Sequence, residues 1–253
     1  MTAIFKREFR SYFTTPLGYI FLAVFYLFEG FFFAALFGNG SPSIEIIFPS
    51  VSTIVILVVP VLTMRLLSED RRQKVDQALL TAPVTVTGII MGKFCAALSV
   101  FALAFAPTVL FQFVVSLLAE ANWLIFLNAL LGTLLVGAGL IAIGMFISSL
   151  TESPIISAII TLVAFLLLMM LPSMMALVET DVALGVEWLG WLEKALSSVL
   201  TYLVGASDKI AFVNLIGSFS GSVFHIVDVV YLASISAIFV FLSIRMVERR
   251  RWA

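Results

Sequence analysis

The sequence predicts an all-α integral membrane protein with six transmembrane helices and both termini in the cytoplasm. Three observations carry that expectation: long apolar runs, scarce charge, and a sorting of positive charge into alternate connections. Of 253 residues, 62% are hydrophobic and 11% charged, whereas a soluble domain carries about 25% charged residues. The net charge of -1 hides the sorting.

A spanning helix needs about 20 mostly apolar residues. Six runs meet that requirement: Leu17 to Phe37, Ile46 to Leu66, Phe94 to Leu118, Leu124 to Leu150, Ile155 to Leu177 and Val227 to Met246. Twelve of the 14 Lys and Arg lie before the first span (Lys6, Arg7, Arg10), between the second and third (Arg65, Arg71, Arg72, Lys74, Lys93) or after the sixth (Arg245, Arg249, Arg250, Arg251). Because positive charge is retained on the cytoplasmic side, these three segments are expected there. Acids such as Glu45, Glu120, Glu179 and Glu187 mark the outward connections.

The chain reads as a single transmembrane domain over 1–253. Its N-terminal apolar stretch begins too late, and runs too long, for a cleavable signal. A helix lying in the membrane plane is expected first, since Phe5, Phe9, Tyr12 and Phe13 share one helical face and Lys6, Arg7 and Arg10 the other. Pro16 and Gly18 let the chain turn into the first span. The fourth span holds Gly132, Gly137, Gly139 and Gly144, with small pairs such as Gly144 and Ser148 at four-residue spacing. Such a stripe permits close helix packing, within one chain or across a dimer, with a substrate path as the alternative. Ser153 and Pro154 are placed to start the fifth span as N-cap and first helical residue. Between the fifth and sixth spans, Val186, Leu189, Leu192, Leu196 and Val199, flanked by Trp188 and Trp191, predict an outward amphipathic helix.

Cys95 and His225 are the only cysteine and histidine, so neither a disulfide framework nor a Cys/His metal cluster is expected. No basic face is large enough to track a nucleic acid. Glu29, near the middle of the first span, is the one acid at mid-membrane depth. It reads either as a candidate pathway residue or as a structural acid. His225 and Asp228 read as a local pair at the outer end of the sixth span.

The densest charge lies in the island from Arg65 to Lys93, which must reach water. Opposite charges four apart (Arg65 with Glu69, Asp70 with Lys74, Arg72 with Asp76) predict that the second span continues as a helix beyond the membrane, each pair adding about 0.2 to 0.5 kcal/mol. Pro83 would end that helix. A short helix from Val84 to Gly92 would then lead to Lys93 at the interface. An ordinary solvated hairpin is the alternative.

Within this island, Ser68-Glu69-Asp70-Arg71-Arg72-Gln73, then Asp76-Gln77-Ala78-Leu79-Leu80-Thr81-Ala82-Pro83-Val84 and Gly92-Lys93-Phe94, resemble the loop between spans two and three of ABC-2 type exporter permeases. Phe5 to Phe13 with Pro16-Leu17-Gly18-Tyr19, Gly144 to Thr151 and Asp228 to Tyr231 fit the same family. The likeness is strongest to the branch containing the gliding-motility permeases. One position departs: many members carry Gly-Thr where this chain has Lys74-Val75.

The resemblance implies a dimer of six-span subunits, made from a second copy or a related permease in the plasma (inner) membrane of a prokaryote. Each subunit would dock on one of two separate ATPase subunits. The implied contact residues are Glu69, Arg71, Arg72, Asp76, Gln77, Leu80 and Pro83. This chain itself would be non-catalytic and hold no cofactor, with ATP and Mg on the partner. Its Gly88 to Phe94 stretch only superficially matches a phosphate loop, because the glycine spacing is short and Phe94 stands where Ser or Thr would hold magnesium. The expectation is therefore an ATP-driven exporter permease in which ATPase closure pushes on Glu69 to Pro83, and a rigid second span carries the displacement inward. The competitors are a mechanical transmitter acting on an external partner without moving solute, and a channel or secondary transporter. The aromatic spans and the outward helix suit a lipid-linked, peptide or polysaccharide cargo equally.

Overall fold

The computed structural model describes residues 1–38, 44–74, 85–118, 121–175, 219 and 226–251, and their regular structure is entirely helical. Among the described residues, six helical stretches are long and apolar enough to cross a membrane: Pro16–Gly38, Ile47–Arg72, Val86–Leu118, Trp123–Leu150, Pro154–Leu171 and Ile226–Arg249. They coincide with the six runs read from hydropathy. The expected outward helix with Trp188 and Trp191 lies outside the described residues, as does His225.

Helix α1 (Thr2–Thr14) is divided from α2 (Pro16–Gly38) by Thr15, whose extended backbone (φ -104°, ψ 152°) stops the first helix. Pro16 opens the second, where its missing N–H leaves no bond unmade. On α1, Lys6, Arg7 and Arg10 are exposed, while Phe5, Phe9 and Phe13 continue into Tyr19 as a ladder with ring centroids 5.1 to 5.9 Å apart. Tyr12 departs from that stripe. It is buried, and its hydroxyl donates to the Leu62 carbonyl at 3.0 Å.

A 3₁₀ turn (Ile44–Ile46) leads into α3 (Ile47–Thr63). The second span was expected to run as one helix into the cytoplasm; instead the chain turns over residues 64–67 before the short α4 (Ser68–Arg72). The cause is a change of partners. In a continuous helix the Ser68 N–H would bond the Met64 carbonyl. Here that carbonyl accepts the hydroxyls of Ser68 and Ser148, while the N–H groups of Leu67 and Ser68 donate to Ser148 Oγ at 3.1 and 3.0 Å.

The third span is also revised. The helix expected from Val84 to Gly92 is, from Val86 on, the first part of a continuous α5 (Val86–Ala104), with Thr85 Oγ1 accepting from the Gly88 N–H at 3.2 Å as N-cap. The break comes at Phe105, and α6 (Ala106–Leu118) completes the span. Pro107 lacks the N–H that would reach Leu103, and the Leu103 carbonyl accepts from the Tyr26 hydroxyl at 3.1 Å. Phe25 packs edge-on against Phe101 and Phe105 at this break.

At the centre stands α7 (Trp123–Leu150), capped by Asn122 Oδ1, which accepts from the Leu124 and Ile125 N–H groups. It packs against α3, α5, α8 (Pro154–Met175) and α9 (Ile226–Arg251). In α7 72% of the most apolar window is buried, against 17% in α8 and α9, which leave apolar faces at the periphery. The small-residue stripe serves packing within the chain. A Cβ on Gly137 would overlap the Phe101 ring of α5, and one on Gly144 would overlap the Thr63 side chain of α3. As the hairpin signal predicted, Pro154 is the first residue of α8.

Candidate functional site

The charged residues of the island gather where α1, α4, the start of α5 and the α7–α8 turn meet. Three anchors hold α4 there. The first is Ser148 near the end of α7, whose hydroxyl accepts twice and donates once across the break, using its full hydrogen-bonding capacity. The second is the α7–α8 turn: Arg71 pairs with Glu152 at 2.6 Å and also donates to the Leu150 carbonyl at 3.5 Å. The third is Lys93, whose Nζ lies 2.8 Å from Asp70 Oδ2 and 3.1 Å from Glu8 Oε1.

Lys93 was expected at the interface, yet only 1% of its side chain is exposed. A lysine can be buried this deeply only when opposite charge replaces its water. Glu8 and Asp70 do so from different helices, and Arg7 adds a 2.6 Å bond to Glu8 on the outer side. Burial alone would raise the Glu8 pKa; Lys93 and Arg7 overcome it and hold the carboxyl below its ordinary value. The bond to Glu8 in turn raises Arg7, against burial. Burial pushes the Tyr12 phenol well above the usual range. Beneath the first turn of α1, Gly92 makes room for Ile4, whose side chain comes within 3.0 Å of where a Cβ would stand.

Of the expected helical pairs, Arg65 and Glu69 do meet, at 3.4 Å. Glu69 also accepts from Gln73 at 3.1 Å. Asp70 does not pair with Lys74, because α4 ends at Arg72 and Asp70 is committed to Lys93. Arg72, Gln73 and Lys74 are exposed, and Arg72 has no ion-pair partner among the described residues. Asp76, Gln77, Leu80 and Pro83 lie outside the described residues. Lys74 has φ 57°, a left-handed conformation that glycine adopts without strain. This is the position where the resemblance expects glycine, so the backbone keeps the turn even though the residue differs. Between α1 and α4 the surface opens into a cleft of about 340 Å³ lined by Arg7, Glu8, Tyr12, Arg65, Glu69 and Asp70.

Gly88 to Phe94, the stretch with phosphate-loop likeness, is helical, and its lysine is the one locked between Glu8 and Asp70. Glu29 is far from this cluster in sequence and fully buried. It lies one turn from Phe25 and one turn from Phe33, which contact Phe105 and Phe111 respectively, so it shares the α2 face turned toward the α5–α6 break. Neither carboxylate oxygen has a hydrogen-bond partner among the described residues. Thus Glu69, Arg71 and Arg72 come together, and Glu29 stands apart from them.

Sequence reasoning missed two residues at this site. Lys93 was noted only as a flanking charge, and Ser148 only as a small residue in a packing stripe. A lone lysine at the head of an apolar run and paired serines at the end of one were the available signals. Residues 4–207 match the family described as ABC-2 family transporter protein. No curated protein matches the chain. The match covers most of the sequence, from Ile4 in α1 through α8, with the island and all three anchors of α4; the chain belongs to the ABC-2 transporter family and is a multi-pass membrane protein.

Proposed function

We propose that this chain is the permease subunit of an ATP-driven exporter in a prokaryotic plasma membrane, of the gliding-motility branch, working as a dimer with a second copy or a related permease. Both termini, α1 and α4 face the cytoplasm, where positive charge is retained, and α1 lies along the interface. ATP and Mg reside on two copies of a separate ATPase, and this chain contributes no catalytic group. The docking surface starts on α4 with Glu69, Arg71 and Arg72 and continues through Asp76, Gln77, Leu80 and Pro83.

One observation supports this reading above the others: α4 is fixed by three separate anchors, the Arg71–Glu152 pair at its rim and the Ser148 and Lys93 contacts beneath it, while Arg72 and the following Gln73 stay exposed. A short element held that way carries force applied from outside into α7, α5 and α1. The coupling differs from a rigid continuous span, since the break at residues 64–67 makes the connection to α3 jointed. Co-purification tests the reading. An ATPase should follow the chain from detergent-solubilised membranes, and Arg72→Glu should lower permease-dependent ATP turnover about tenfold, within the range of coupling energies of 1–3 kcal/mol. Wild-type turnover in that variant would remove the docking assignment.

A further inference from the structure

Glu8, Asp70 and Lys93 are far apart in the chain and meet in one buried cluster. Glu8 and Asp70 stand on opposite walls of the cleft between α1 and α4, and Lys93, rising from α5, bonds both at 3.1 and 2.8 Å. With 1% of its side chain exposed, Lys93 is shielded from the screening that weakens surface pairs. Its partners are also largely covered, at 14% and 18% exposure. The cluster is costly to desolvate, and apolar side chains of similar volume would often stabilise the fold as well or better. Its distinguishing property is positional, because one ammonium fixes two helices in a single register.

We propose that Lys93 is a positioning residue for coupling: it clamps the N-terminal helix α1 to α4, so that a push on α4 moves α1 and the start of α2 as one body. This rests on the permease reading above, which assigned the docking surface to α4 and named α1 among the elements that receive the force; the extension is the residue that joins them and the movement of α1 with the start of α2. Three features support the extension. Arg7 secures Glu8 from the solvent side, so the α1 wall of the clamp is itself braced. The Tyr12 hydroxyl fixes the far end of α1 to the Leu62 carbonyl, just before the α3–α4 break. Only Thr15 separates α1 from α2, which leaves little slack between α1 and the first span.

The test must separate clamping from mere stability. Lys93→Met alone would leave two acids buried without their cation, and loss of folding would be uninformative. The triple variant Glu8→Gln, Asp70→Asn, Lys93→Met removes the charges together and leaves Arg7, whose side chain is 47% exposed, to the solvent. Spin labels at Lys6→Cys and Gln73→Cys, in a Cys95→Ala background and in lipid nanodiscs, report the α1–α4 distance without any ATPase. Permease-dependent ATP turnover is measured separately on unlabelled complexes.

The expected result is a folded triple variant with a broadened distance distribution and turnover lowered about tenfold, as for other coupling positions, while Lys93→Arg keeps both close to wild type. A triple variant that retains a narrow distance, or wild-type turnover, would overturn the proposal. Should the wild-type chain stimulate no ATPase at all, the coupling role falls together with the permease reading; the distance measurement then separately shows whether the clamp exists.

Discussion

Two breaks interrupt helices that hydropathy alone joins into single spans, and they are built from opposite chemistry. At residues 64–67 the backbone partners are hydroxyls, with Ser148 serving three groups and Ser68 a fourth contact, and ion pairs surround the joint. At Phe105 the break is closed by rings: Phe25, Phe48 and Phe101 pack around Phe105, and Tyr26 covers one carbonyl. Hydrogen bonds can exchange partners where a second hydroxyl is at hand, as Ser68 and Ser148 both are at the Met64 carbonyl, whereas a packed aromatic cluster must be opened to move. The comparison therefore assigns motion to the α3–α4 joint and rigidity to the α5–α6 break.

Ser148→Ala should sharpen that contrast most. It strands the Leu67 and Ser68 N–H groups at a buried site, a loss of about 3 kcal/mol for two unmet donors, and faster amide exchange should be confined to residues 64–72. Equal acceleration at the α5–α6 break would mean that the joint is not a local unit. Tyr26→Phe deletes one bond to the Leu103 carbonyl and keeps the ring, so a loss of about 1 kcal/mol in detergent-solubilised thermal stability is expected. A cost several times larger would show that the aromatic break depends on its hydrogen bond after all. The smallest effect belongs to Lys74→Gly, which relieves a left-handed backbone and should stabilise α4 by about 1 kcal/mol or less, since glycine also loses more entropy on folding. Slower amide exchange at Gln73 would register it.

The six spans were legible because apolar length is indifferent to which way a helix faces. Their breaks were less so. Pro107 stands at the break in the third span, a signal that the reading by hydropathy does not use, while the turn at 64–67 has no proline or glycine within it and depends on Ser148, distant in sequence. Charge spacing read the Arg65–Glu69 pair correctly, since that pair is local. It misassigned Asp70, whose true partner Lys93 is placed by the packing of α5 rather than by any helical repeat. The resemblance flagged Lys74, where the backbone does take the conformation that glycine favours. Glu29 was singled out correctly as unusual, and the structure adds that it is enclosed by protein on the α2 face toward the aromatic break.

On the proposed reading, an ATPase engages this chain at α4. A photo-reactive amino acid placed at Gln73 tests it most directly, with Leu118, exposed at the far end of α6, as the comparison. Illumination in native membranes should yield a covalent adduct with a nucleotide-binding ATPase from Gln73 and none from Leu118. An adduct absent at Gln73, or formed equally at both positions, would contradict it.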